Sequence, residues 1–230
     1  MKCRAVSLVC LSGSYGAGGS RIGHQLAQRL GVPFLDRAIP AAVAEELEVP
    51  LEDVAAYDEQ PGAGWLERLL SGFVALDVSQ PTHIDAPAAS AADFRRATEQ
   101  VLRRQARSGD GVILGRGAMV VLRDQLHAMF VRLDGPAERR VEQAMRLEQV
   151  DRATAERRLR QLDRTHASYL RHYYGANVQD PSLYHVVLDS TRIELDVCVE
   201  LLLAAVRSFE RSGGRAAGAL KPSADVRSSG

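Results

Sequence analysis

Apolar residues along this chain follow two rhythms. Short, mostly apolar runs at 5–11, 32–35, 112–114, 127–133 and 184–188 read as buried strands, because a strand covered on both faces needs no polar alternation. Between them lie longer stretches whose apolar positions return every three to four residues, the spacing of a helix with one buried face. In 20–30 that face is Ile22, Leu26 and Leu30, and Gly31 follows as a C-cap. In 91–108 it is Phe94, Thr98, Val101 and Leu102. Stretches 38–47, 51–57 and 64–78 are helical by composition, broken at Gln60-Pro61-Gly62, whereas 79–90 carries two prolines and many small residues and reads as a loop. Gly109-Asp110-Gly111 is a turn. Pro136 opens a further helix at a first-turn position, and Asp151 or Thr154 starts a long arginine-dense helix reaching about Tyr174. A last helix covers about 194–210. Strands alternating with helices predict an α/β fold: a parallel sheet of five strands with helices on both faces.

Ligands in such sheets bind beyond the carboxyl ends of the strands. Gly13, Asp36, Arg116 and Asp134 each follow a strand candidate, so they are expected to converge on one edge of the sheet. The first of these turns is Gly13-Ser14-Tyr15-Gly16-Ala17-Gly18-Gly19-Ser20, set between a strand and a helix. Backbone N–H groups of such a loop converge on an anion, and the helix N-terminus adds positive partial charge. The spacing fits G-x-x-x-x-G-K-[ST], with Gly19 at the lysine position, Ser20 where a magnesium-ligating hydroxyl is expected, and Arg21 at the helix start. Residues 13–21 are therefore the candidate phosphate cradle; the competing reading is a tight turn that binds nothing. Gly115-Arg116-Gly117 places an arginine between glycines at a strand end, where it approaches a ligand with little obstruction or simply turns the surface.

Of the 29 basic side chains only Lys2 and Lys221 are lysine, so a cation reaching a phosphate inside this fold must be arginine, which clamps oxyanions bidentately. Arg139, Arg140, Arg146, Arg152, Arg157, Arg158, Arg160 and Arg164 crowd one segment. Phosphoryl transfer between two nucleotides requires several negative charges to be neutralised in a closed site, and a basic helix folding over it supplies that. The same residues also suit a solvated helix with pairs such as Glu156 and Arg160. His166 and His172 lack metal-ligand spacing, and Tyr169, Tyr173 and Tyr174 read as helix packing. A formal net charge of +0 gives no pull toward nucleic acid or an anionic membrane, and no run is long enough to span a bilayer. Cys3, Cys10 and Cys198 show no metal spacing and fit a reducing compartment, so a cytoplasmic protein is expected. Nothing in the pattern points to an oligomeric state.

Taken together, these segments resemble the cytidylate kinase-like family, a branch of the P-loop nucleoside monophosphate kinases. The matching pieces are 11–19, Pro33-Phe34-Leu35-Asp36-Arg37, 112–118, Asp163-Arg164 before Tyr169, and Tyr184 with Val187-Leu188-Asp189-Ser190-Thr191, in order over about 5–205. The resemblance implies a P-loop three-layer α/β/α domain over 1–211, with an acceptor-side helical insertion at about 37–108 and an arginine-rich lid at about 136–174. The Gly-, Ser- and Ala-rich tail 212–230 is expected to be disordered. It further implies an ATP-dependent kinase that phosphorylates CMP or dCMP with Mg2+. Gly13, Ser14, Tyr15, Gly16, Ala17, Gly18, Gly19, Ser20 and Arg21 would hold the ATP phosphates, and Ser20 would assist the magnesium. Arg116 would hold the acceptor phosphate, Asp163 its sugar, Asp36 and Arg37 would face the acceptor, and Arg160 and Arg164 would act with Arg116 in catalysis.

The chain departs from the family pattern at identifiable positions. Gly19 replaces the loop lysine, Gly13 stands where relatives often carry arginine, Gly117 replaces an aspartate, His166 an arginine and His185 an aspartate. Losing one transition-state contact of this kind costs about 2.7–4 kcal/mol. Two alternatives therefore stay open beside the kinase: a nucleotide-binding protein with weak or no turnover, and a P-loop kinase for another small acceptor.

Overall fold

The computed structural model describes residues 8–35 and 91–212. Strands β1 (Leu8–Gly13), β2 (Phe34–Leu35), β3 (Gly111–Leu114), β4 (Ala128–Asp134) and β5 (Val186–Asp189) form one parallel sheet in the order β2-β3-β1-β4-β5. The helices are α1 (Gly19–Leu30), α2 (Ala91–Ser108), α3 (Ala118–Val121), α4 (Ala137–Glu148), α5 (Arg152–Tyr174) and α6 (Leu195–Arg211).

Strand pleating sends alternate side chains to opposite faces, and each face meets its own helices. Val9, Leu11, Met129, Val131 and Leu133 pack with Ile22 and Leu26 of α1 and Cys198, Leu202 and Val206 of α6. Leu8, Cys10, Ile113 and Phe130 pack on the other face with Leu102 of α2, Met119 of α3 and Leu170 of α5. The result is three layers, α/β/α, as the alternation of patterns requires. Ile22 and Leu26 are fully buried, and each such side chain contributes about 1.5–3 kcal/mol.

Helix ends follow local chemistry. Gly31 takes the left-handed conformation (φ 68°) and its N–H bonds back to Ala27 and Gln28 carbonyls, ending α1. The Asp151 carboxylate accepts the Thr154 N–H at 2.8 Å, which settles the start of α5. Thr98, Val101 and Leu102 lie on the buried face of α2 as expected.

Several boundaries differ from the sequence pattern. β1 runs on through Ser12 and Gly13 because both continue the ladder to β4, opposite Arg132 and Leu133. β2 starts only at Phe34, since the Val32 N–H turns back to the Ala27 carbonyl. β5 begins at Val186: Tyr184 closes a 3-10 turn at Pro181–Leu183, and the His185 ring Nδ1 accepts the Phe130 N–H at 2.9 Å. α3 and the 3-10 turn were not legible, being too short for apolar positions to recur at helical spacing. The expected elements between 36 and 90, the Phe94 side chain, and the tail from 213 lie outside the described residues. Among the described residues no helix is long and apolar enough to cross a membrane.

Candidate phosphate-binding site

β1 ends at Gly13 and α1 begins at Gly19, so residues 14–18 make the whole turn. Gly16 sits at φ 78°, and a Cβ there would collide with the main-chain carbonyl of Arg140 near the start of α4. Only glycine tolerates both conditions. The N–H groups of Gly19, Ser20 and Arg21 precede the first intrahelical bond, from the Ile22 N–H to the Gly18 carbonyl at 3.0 Å. These residues line a cleft of about 450 Å³. Its walls are residues 13–16 and 18–21 of the loop, Leu114 and Gly115 at the end of β3, and Leu147 and Glu148 at the end of α4.

The loop is held from behind by side chains of later elements. Arg140 donates to the Tyr15 carbonyl (3.0 Å), Gln143 to the Gly16 carbonyl (3.0 Å) and the Ser190 hydroxyl to the Ala17 carbonyl (2.7 Å). In a planar trans peptide the N–H points opposite to the C=O. Drawing three successive carbonyls backward therefore turns the following amides, those of Gly16, Ala17 and Gly18, away from the frame; Ala17 spends its N–H on the Ser14 carbonyl. Oriented main-chain amides at a helix start suit an anion.

The frame itself is ionic. Arg132, in the middle of the sheet and 4% exposed, donates to Asp134 (2.8 Å) and the Ser14 hydroxyl (2.9 Å), with Ser12 at 3.4 Å. Arg140 donates to the Gly135 carbonyl (2.9 Å) and, through Nη1, to Asp163 Oδ2 (2.7 Å), while Asp163 Oδ1 accepts the Tyr15 N–H (3.1 Å). Two arginines thus meet two aspartates. Burial opposes ionisation of Asp134, yet the Arg132 guanidinium and the Ser14 hydroxyl hold its carboxyl below the usual range. His166 lies beside this frame; burial and the neighbouring Arg132 charge push it down to about 4, against the pull of Asp163, so it is neutral at pH 7.

Gly13, Arg116 and Asp134 do converge at the carboxyl edge of the sheet: the Gly115 N–H bonds the Leu11 carbonyl (2.8 Å), and Asp134 ends β4 beside β1. Arg116 is itself left-handed (φ 60°) between two left-handed glycines, a strain of about 1–2 kcal/mol of the sort stored at functional turns. A Cβ at Gly117 would meet Leu170, Tyr174 and Tyr169 of α5, and Tyr174 donates to Glu99 (3.0 Å), so these tyrosines serve as helix packing. Ser20 and Arg21 are exposed on the cleft. Asp163 lies against the loop. Arg160, 69% exposed, stands 3.7 Å from Glu156, and Arg164 is exposed further along α5. Asp36 and Arg37 lie outside the described residues.

Sequence reasoning missed Arg132, Gln143, Glu148 and Ser190. Arg132 had a signal, a charged residue inside the otherwise apolar run of β4. Glu148 Oε2 accepts both the Tyr15 hydroxyl (2.7 Å) and Arg158 Nη1 (2.6 Å). Burial and that carboxylate push the Tyr15 phenol up to about 12, so it stays a neutral donor. Among the described residues no group of three His, Cys, Asp or Glu side chains could hold a metal; the Ser20 hydroxyl is the oxygen at the position expected for one.

Sheet order, glycine turn and helix start together define a P-loop three-layer fold. A gluconokinase from Sinorhizobium meliloti 1021 shares it at a TM-score of 0.53 and 17% identity, covering 91% of this chain and 96% of that one. An uncharacterized protein from Eubacterium ventriosum ATCC 27560 superposes at a TM-score of 0.60 and 17% identity, over 88% of this chain and 99% of that one. In sequence, 112 residues are 30% identical to a cytidylate kinase from Methanopyrus kandleri; the match spans 45% of this chain and 58% of that protein. The model of the cytidylate kinase-like family matches residues 8–192, most of the chain, and the chain belongs to that family.

Proposed function

We propose that the protein is an ATP- and Mg2+-dependent nucleoside monophosphate kinase, with CMP or dCMP as acceptor. The observation that carries this reading is the cleft at one edge of the sheet lined by the start of α1, the Ser20 hydroxyl and Gly115, the residue before Arg116. ATP phosphates fit the oriented amides of Gly16 and of 18–21, the Ser20 oxygen suits magnesium, and Arg116 suits the acceptor phosphate. An acceptor phosphate is already ionised near neutral pH, so the protein's task is positioning and charge neutralisation rather than proton removal. On the same reading Asp36, Arg37 and Asp163 serve the acceptor side, Arg160 and Arg164 close over it, and the protein works on cytoplasmic nucleotides.

A second reading, nucleotide binding without turnover, is favoured by the neutralised frame. Arg132 and Arg140 are tied to Asp134 and Asp163, His166 is uncharged, and Gly19 brings no ammonium to the loop. The test is a magnesium–ATP assay against a panel of nucleoside monophosphates, with nucleotide binding measured in parallel. Diphosphate formation from CMP or dCMP supports the kinase. Binding without product supports the second reading, and product only from an acceptor outside the panel's cytidylates corrects the substrate.

A further inference from the structure

We propose that Arg158 is a polyphosphate-binding cation of this cleft, latched onto Glu148 and Tyr15 while the cleft is empty of ligand. The inference rests on the nucleotide-binding reading above and deepens it, naming the side chain that takes over from the absent loop lysine. Residues 13–20 contribute no cationic side chain, and Arg21, exposed on the cleft, stands in the first turn of α1. Arg132 and Arg140, with side chains 4% and 9% exposed, are committed to Asp134, Asp163 and the loop's own oxygens. Arg160 and Arg164 are turned to solvent.

Arg158 differs from all of these. It is 20% exposed, and its Nη1 lies 2.6 Å from Glu148 Oε2. Glu148 is part of the cleft wall, and the same oxygen accepts the hydroxyl of Tyr15, a residue of the loop. The guanidinium therefore stands one hydrogen bond behind the surface a phosphate would touch. A carboxylate in the wall of a phosphate cleft repels the ligand and at the same time holds the cation the ligand needs. A polyphosphate carries more charge than one carboxylate and accepts bidentate arginine, so exchange of Arg158 from Glu148 to phosphate is favourable. Glu148, with its Tyr15 bond, keeps the latch in register with the loop.

This arrangement predicts effects of opposite sign on the two sides of one ion pair. Magnesium–ATP and magnesium–ADP are titrated calorimetrically against the full chain, with inorganic tripolyphosphate as competitor. Arg158→Gln is expected to weaken magnesium–ATP about tenfold, as loss of one charge-assisted contact does. Arg158→Lys is expected to recover most of that affinity. Glu148→Gln, which keeps an acceptor for Tyr15, is expected to tighten binding several-fold. Tripolyphosphate should follow the same order. Weakening by Glu148→Gln comparable to that of Arg158→Gln would mark a merely structural pair and overturn the proposal, as would an Arg158→Gln protein that binds like the parent. A parent chain that binds no magnesium nucleotide removes the nucleotide reading and this inference together; a parent that binds, with an indifferent Arg158→Gln variant, removes this inference alone.

Discussion

Replacing Asp163 by alanine removes two supports of the phosphate loop at once. The Tyr15 N–H loses its acceptor at 3.1 Å, and the Arg140 guanidinium loses its 2.7 Å partner. Arg140 is 9% exposed and keeps Asp134 as a neighbouring carboxylate, at 3.5 Å. Breaking a buried pair by removing one partner costs about 3–5 kcal/mol. Asp163 is 29% exposed, and water replaces part of the lost contact, which brings the expectation to about 2–3 kcal/mol. Asp163→Asn keeps the volume and one oxygen for Tyr15 and loses only the charge, so about 1–2 kcal/mol is expected. Urea denaturation followed by circular dichroism measures both. Each variant should also bind magnesium nucleotide more weakly, because Tyr15 lies in the turn that presents the amides. A sole role at the acceptor's sugar would instead raise KM for the monophosphate and leave nucleotide affinity unchanged. An alanine variant within about 0.5 kcal/mol of the parent, with unaltered nucleotide affinity, would refute the view of Asp163 as a strut of the loop.

Gly16→Ala forces a left-handed alanine against the Arg140 carbonyl; we expect a stability loss above about 2 kcal/mol and loss of nucleotide binding, read by thermal unfolding and titration. His166, held neutral down to about 4 when folded and titrating near 6.5 when unfolded, makes the unfolded chain the stronger proton binder between those values. Its contribution is complete above pH 6.5 and is lost as pH falls toward 4, so the parent should lose about 2 kcal/mol more than His166→Gln between pH 7 and pH 5 in denaturant titrations. Arg116→Ala should cut turnover about a hundredfold or more while leaving magnesium–ATP affinity near the parent's, checked by coupled assay and calorimetry.

The layered fold was legible because its strands are mostly apolar runs, such as Val112-Ile113-Leu114, and its helices carry one apolar stripe, such as Ile22 and Leu26. The loop was legible because glycines at positions 13, 16 and 18, set between a strand and a helix, mark a tight turn whose amides an anion can approach. What escaped was everything that acts across the sequence. Nothing local says that Gln143 and Ser190 reach back to the Gly16 and Ala17 carbonyls, or that Asp163 lies against Tyr15. Those contacts follow from β4 and β5 lying in one sheet with β1 and from α4 starting beside the loop. The late start of β5 escaped for a similar reason, a histidine ring taking a place in the ladder.

The most direct measurement is amide NMR of the full chain during titration with magnesium–ATP. Saturable shifts concentrated at Gly16, Gly18, Gly19, Ser20 and Arg21 are the predicted outcome, since these N–H groups are the ones the frame leaves for an anion. Unmoved resonances at those five positions under saturating nucleotide would contradict the account.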